Sequence, residues 1–75
     1  MFTIKLVEQS NGKPAAGKRV SIGFPGIFSG GVSKNQYSDS NGETHWDYDP
    51  CEGTVYVEGQ DEYTGRLEGR VLIYI

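Results

Sequence analysis

Cysteine is nearly missing from this 75-residue chain, where Cys51 stands alone. One thiol closes no intramolecular disulfide, so a disulfide-stapled secreted miniprotein is excluded. No apolar run approaches the roughly 18 residues that a membrane helix needs. The first residues, Met1-Phe2-Thr3-Ile4-Lys5, lack a basic stretch followed by a long apolar one, so no signal peptide is read there. The expected compartment is the cytosol, with signal-independent export left open. Positive charge is scarce as well: Lys and Arg total 7 against 10 Asp and Glu, for a net charge of −3. Phosphate-backbone binding needs a clustered positive face, so nucleic acid is not an expected partner. The charge is unevenly spread. Residues 1–42 carry a net +3, and residues 43–75 a net −6.

A 3.6-residue apolar period is also lacking. Eleven glycines punctuate the chain, and alternation recurs between them, as half-buried strands require. Phe2, Ile4 and Leu6 share one face of the first run. Val20, Ile22 and Phe24 share one face of the second, Thr44, Trp46 and Tyr48 of a later one, and Val55 and Val57 of another. The pattern predicts strands over 2–7, 18–24, 34–38, 43–48, 54–58, 62–66 and 69–75. Asn11-Gly12 predicts a turn. Asn41-Gly42 predicts a tight hairpin between the third and fourth strands. The turn at 59–61 and the last two strands are read as further antiparallel neighbours. The expectation is one all-β domain over residues 1–75, an antiparallel sandwich with almost no helix. A chain of this length buries only about 60% of the surface exposed by its unfolded form, which leaves little room for a deep catalytic pocket.

Three stretches resemble a known family. Asn11-Gly12-Lys13-Pro14-Ala15-Ala16-Gly17-Lys18-Arg19-Val20-Ser21-Ile22 is similar to a run found in carboxypeptidase regulatory-like and transthyretin (prealbumin)-like domains. Ser38-Asp39-Ser40-Asn41-Gly42-Glu43 resembles their hairpin, and Cys51 to Gly59 their closing strand. The resemblance implies a seven-stranded antiparallel Greek-key sandwich, prealbumin-like or immunoglobulin-like, used as a binding or structural module without chemistry of its own. It carries over no set of functional residues. The hydrolase relatives use a C-terminal tetrapeptide with His and Arg residues, whereas this chain ends Val71-Leu72-Ile73-Tyr74-Ile75 and has one His. No catalytic residue, resident metal or cofactor is expected.

Candidate chemistry is sparse. His45, Asp47, Asp49 and Cys51 fall at two-residue steps, a donor set that suits a transition metal. Pro50 interrupts the strand before Cys51, however, and one strand spaces such ligands about 6.6 Å apart. A solvated polar face explains the residues more simply, and a metal site at His45, Asp47 and Cys51 is kept as the alternative function. Asp39, Asn41 and Glu43 look like a fragment of a calcium loop. The run is too short and lacks the terminal bidentate Glu, and Asn-Gly turn chemistry explains the same residues more simply. A Cys51–His45 nucleophile pair lies among Asp47, Asp49 and Glu52, which raise rather than lower a thiol pKa.

The apolar and aromatic residues point to recognition. Ile27 and Phe28 sit in the glycine-rich segment 25–31, either as a cap on the core or as an exposed tip that meets a partner. Trp46 and Tyr48 are expected to anchor the interior. Tyr37, Tyr56, Tyr63 and Tyr74 are expected partly outside, either as protein-contact residues or as cross-strand aromatic pairs that stabilise the sheets. The final strand is apolar on both faces: Val71, Ile73 and Ile75 on one, Leu72 and Tyr74 on the other. An uncovered strand of that kind invites pairing. The expected function is a non-enzymatic protein-interaction or assembly module contacting partners through Ile27, Phe28, Tyr37, Tyr56, Leu72 and Tyr74. A homo-oligomer through the last strand is one outcome.

Overall fold

The computed structural model describes residues 1–25 and 31–75. The predicted tip residues Ile27 and Phe28 lie outside the described residues. The rest folds into eight strands: β1 (Phe2–Val7), β2 (Arg19–Phe24), β3 (Gly31–Val32), β4 (Gln36–Tyr37), β5 (Glu43–Trp46), β6 (Cys51–Val57), β7 (Gln60–Leu67) and β8 (Gly69–Tyr74). They form two sheets. Sheet A has the order β5-β1-β8, and sheet B the order β3-β2-β6-β7, with β4 also on β2. Among the described residues there is no helix, and none therefore that could cross a membrane.

Alternation fixes which side chains meet. Phe2, Ile4 and Leu6 from β1, Val20 and Ile22 from β2, Trp46 from β5, Val55 and Val57 from β6, Leu67 from β7, and Val71 and Ile73 from β8 form one buried cluster. Each fully buried aliphatic or aromatic side chain of this kind contributes about 1.5–3 kcal/mol. With no disulfide, this cluster is the main source of stability. Tyr48 departs from its expected place. It remains 40% exposed and closes one end of the core. Its ring stands edge-on to Phe24 at 5.0 Å and stacks near Trp46 at 6.3 Å.

The pairing differs from the expected run of antiparallel neighbours in three places. First, β1 and β8 pair in parallel, Phe2 beside Gly69 through Val7 beside Tyr74. Second, β7 and β8 are not ladder partners: β7 pairs with β6 and β8 with β1. A single residue, Glu68, separates them, and Gly69 at φ 62° lets the chain change sheets there. Third, β4 and β5 do not form a hairpin ladder. β4 pairs with β2, while β5 pairs with β1. The Asn41-Gly42 turn thus carries the chain from one sheet to the other. The predicted turn at 59–61 moves back to Glu58-Gly59, where both residues have positive φ as a two-residue hairpin requires.

That crossing rests on close packing. The Asp39 carbonyl accepts the Gly42 N–H at 2.9 Å, and Asp39 Oδ1 accepts the N–H groups of Asn41 and Glu43 at 2.9 and 3.0 Å. The carbonyl of Gly42, a residue at φ 76°, then accepts the Leu6 N–H at 2.8 Å. Leu6 in turn accepts the Ala15 N–H at 2.9 Å. A Cβ on Gly42 would collide with the Leu6 carbonyl oxygen and crowd the Ala15 nitrogen. At Gly12, whose φ is 71°, a Cβ meets nothing within 4 Å.

The polar segment between β3 and β5 uses side chains where an unbroken strand would use backbone. Ser33 Oγ accepts the Ile22 N–H at 2.8 Å. Ser38 is buried. Its hydroxyl donates to the Ala15 carbonyl at 2.6 Å and accepts the Lys18 N–H at 2.9 Å. The Gln36 amide donates to the His45 carbonyl at 2.7 Å and accepts the His45 N–H at 3.2 Å. It thus completes the edge of β5 from the opposite sheet.

The two glycines give a discriminating pair of variants. Gly42→Ala is expected to destabilise by at least about 2 kcal/mol, since strain and collision act together. Gly12→Ala, with strain alone, should cost about 1 kcal/mol. Chemical denaturation of both proteins measures the difference.

Candidate interaction surface

The register places the outward side chains of sheet A in rows. His45, Thr3 and Arg70 form one row, Glu43, Lys5 and Leu72 the next, and Val7 and Tyr74 a third. The outer face of this sheet is therefore charged toward β5 and apolar toward β8. Leu72 is 49% exposed and Tyr74 55%. Both lie on the outermost strand of sheet A, and no described residue pairs with its far edge.

The charged end is organised around Glu43. Arg70 Nη2 lies 3.1 Å from Glu43 Oε2, and His45 Nε2 lies 3.7 Å from Glu43 Oε1. Asp39 Oδ2 lies 3.8 Å from the same His45 nitrogen. His45 Nδ1 sits 3.0 Å from Thr3 Oγ1, which orients the ring. Among the described residues, Asp39, Glu43 and His45 form the group with donor atoms close enough to share a metal ion, all within 4.8 Å of one another. One imidazole and two carboxylates suit a first-row divalent ion. Arg70 already occupies one Glu43 oxygen, and such exposed pairs are worth no more than about 1 kcal/mol.

The Asp39 carboxyl is held below the ordinary aspartate value. The N–H of Glu43 does most of this. Slight desolvation opposes it, and the Asn41 N–H and the charges of His45 and Lys5 add to the lowering.

The predicted site residues do not gather on one surface. Leu72 and Tyr74 lie on the outer face of sheet A. Tyr37 and Tyr56 pair with Arg19 and Ser21, whose β2 neighbours Val20 and Ile22 point into the core, so these tyrosines lie on the outer face of sheet B. Tyr37 is exposed beside Arg19. Tyr56 is half-buried, its ring lying where a Cβ on Gly23 would be. The expected set of His45, Asp47 and Cys51 is not brought together. His45 is on the outer face of sheet A, whereas Cys51 belongs to sheet B and packs partly against the core. Spacing grouped Asp39 with Asn41 and Glu43, and His45 with Asp47 and Cys51; what it missed is the meeting of Asp39 with His45. Glu43 and His45 are two apart on a strand and visibly share a face, but Asp39 joins them only because the turn folds it back.

Sheet B also has a shallow depression of about 560 Å³ floored by Gly23, Gly53 and Gly65, with Tyr56, Thr54 and Thr64 at its sides. Glu52 is the one carboxylate among its described lining residues, which include no His, Cys or Lys.

No family model, curated protein or solved structure matches the chain.

The lowered Asp39 value gives a signed pH dependence. A carboxyl with a depressed folded-state pKa stabilises the fold fully above the unfolded value, about 3.9, and loses that contribution as pH falls through the folded value. Asp39→Ala is therefore expected to melt below the parent protein at pH 7. The gap should close as pH falls below about 4 and through the lowered folded-state value. Carboxyl-carbon NMR titration should place the Asp39 midpoint below that of an unstructured aspartate.

Proposed function

We propose that this chain is a non-enzymatic protein-interaction module that recognises partners through the open edge and outer face of β8. The observation that carries this reading is the outward position of Leu72 and Tyr74 on a strand whose far edge pairs with no described residue. A natural sheet protects its edges with charge, proline, bulges or a covering segment. β8 has Arg70 as its one charge and no proline. Backbone groups along such an edge supply affinity by strand addition, and the alternating side chains supply selectivity.

The prealbumin-like reading belongs to the same proposal. Counting β3 and β4 as one interrupted strand on β2 makes seven strands in two sheets, which supports a seven-stranded sandwich of that kind. The glycine turns that carry the resemblance occupy corners of this arrangement, at Gly17, Gly42 and Gly59.

A photoreactive phenylalanine at position 72, compared with one at exposed Lys13, tests the role of β8 in the cells that make the protein. Adducts from position 72 well above those from position 13 are expected. Equal and low yields from both would remove β8 as a docking strand.

A second reading, a small metal-binding protein, is favoured by one observation: the convergence of Asp39, Glu43 and His45. On this reading Zn²⁺ raises the melting temperature of the parent protein and leaves His45→Gln unchanged. Identical melting of the two proteins with and without Zn²⁺ would exclude it.

A further inference from the structure

The chain holds one tripeptide twice, as Ser10-Asn11-Gly12 and as Ser40-Asn41-Gly42. We infer that Asn11 is a site of spontaneous deamidation in the folded protein, yielding aspartate and isoaspartate, and that the fold shields Asn41 from the same reaction. The chemistry needs only the chain and water. The backbone nitrogen of the glycine, having given its proton to the solvent, attacks Cγ of the preceding asparagine. A C–N bond forms as the bond from Cγ to Nδ2 breaks, ammonia leaves, and a five-membered succinimide remains. Water then opens the ring. Cleavage between Cγ and the glycine nitrogen gives aspartate. Cleavage at the main-chain carbonyl gives isoaspartate, whose backbone runs through Cγ. A following glycine favours the attack, because it has no side chain to hinder the approach and its backbone turns freely.

With the tripeptide held constant, its surroundings decide the difference. In both turns the attacking nitrogen is engaged: the Gly12 N–H donates to the Glu8 carbonyl at 2.8 Å, and the Gly42 N–H to the Asp39 carbonyl at 2.9 Å. Reaction waits for a local opening, and its rate follows the population of the open form. Opening at Gly42 undoes far more than that one bond. The Gly42 carbonyl holds the N–H of Leu6, whose side chain is fully buried. Asp39 Oδ1 holds the N–H groups on either side of Gly42, those of Asn41 and Glu43. The packing is so close that a Cβ on Gly42 would overlap the Leu6 carbonyl oxygen. Freeing Gly42 therefore pulls apart the crossing between the sheets. Gly12 lies in the open. Residues 9–13 are all exposed, and nothing lies within 4 Å of the place a Cβ on Gly12 would take. Their loop is closed by the Glu8 N–H on the Lys13 carbonyl at 2.9 Å, and an opening within it leaves both sheets intact. Asn11 is also poised for attack. Its Oδ1 accepts the Lys13 N–H at 2.9 Å, closing a ring that includes the Gly12 nitrogen. The same donor stabilises the charge that gathers on Oδ1 as the tetrahedral intermediate forms. The aspartate product keeps this acceptor and adds one negative charge to the loop.

Peptide mapping by mass spectrometry tests this on the purified chain, held in mildly alkaline buffer with and without concentrated urea. Labelling by an isoaspartyl methyltransferase gives a second readout of the isoaspartate. In buffer, aspartate and isoaspartate are expected to accumulate at residue 11 at least about a hundredfold faster than at residue 41. In urea, where neither turn persists, the two identical tripeptides should react at comparable rates. Asn11→Gln should stop the reaction at residue 11, because the longer side chain closes only a slower six-membered ring, and should leave the slow rate at residue 41 as it is. Conversion of residue 41 at the pace of residue 11 in buffer overturns the inference. So does a folded chain whose residue 11 stays intact for as long as urea takes to convert both sites, or a preference for residue 11 that persists undiminished in urea.

Discussion

A chain this short can stack two sheets only if the backbone groups released at each change of sheet find other partners. Unmet, each buried donor or acceptor costs about 1–3 kcal/mol, a large part of what a small core supplies. The segment from Ser33 to Ser38 meets this constraint. Ser33 serves Ile22, Ser38 serves Ala15 and Lys18, and Gln36 serves both backbone groups of His45. No buried side-chain N or O atom among the described residues is left without a partner. What reads as a polar connection is the joint that lets β2 and β5 belong to different sheets.

The same economy shapes the outer face of sheet A. Glu43 pairs with Arg70 across β1 and lies near His45, with Lys5 beside it in register, so the Glu43 charge is spent internally. Leu72 and Tyr74 have no such counterparts. The sheet thus divides into a self-satisfied polar end and an apolar edge, and the division follows from strand order. β1, in the middle, is buried on its inner side by Phe2, Ile4 and Leu6. β8, at the margin, has ladder partners on one side only.

Alternation made most of the core legible. Phe2, Ile4, Leu6, Val20, Ile22, Trp46, Val55 and Val57 are buried, as their spacing requires. What alternation cannot encode is which strand neighbours which. Asn41-Gly42 has the chemistry of a hairpin turn, and the local turn does form. The strands on either side of it nevertheless go to different partners, because Gly42 docks on Leu6 far away in sequence. Glu68-Gly69 is the same case, with a corner where a hairpin was expected. Of the sites, the outward placement of Tyr37, Leu72 and Tyr74 could be read from pattern alone. The meeting of Asp39 with His45 could not, since it depends on an Asx turn that reverses the chain.

The parallel seam between β1 and β8 ties the two ends of the chain together. During synthesis on the ribosome, β1 emerges before β8 and has to wait for all the strands between them before its second ladder can form. Until then Ile4 and Leu6 lie in a nascent chain with one flank bare, open to chaperones and to other nascent chains. Closing so long a loop favours slow, late and concerted acquisition of structure over stepwise growth from the N-terminus.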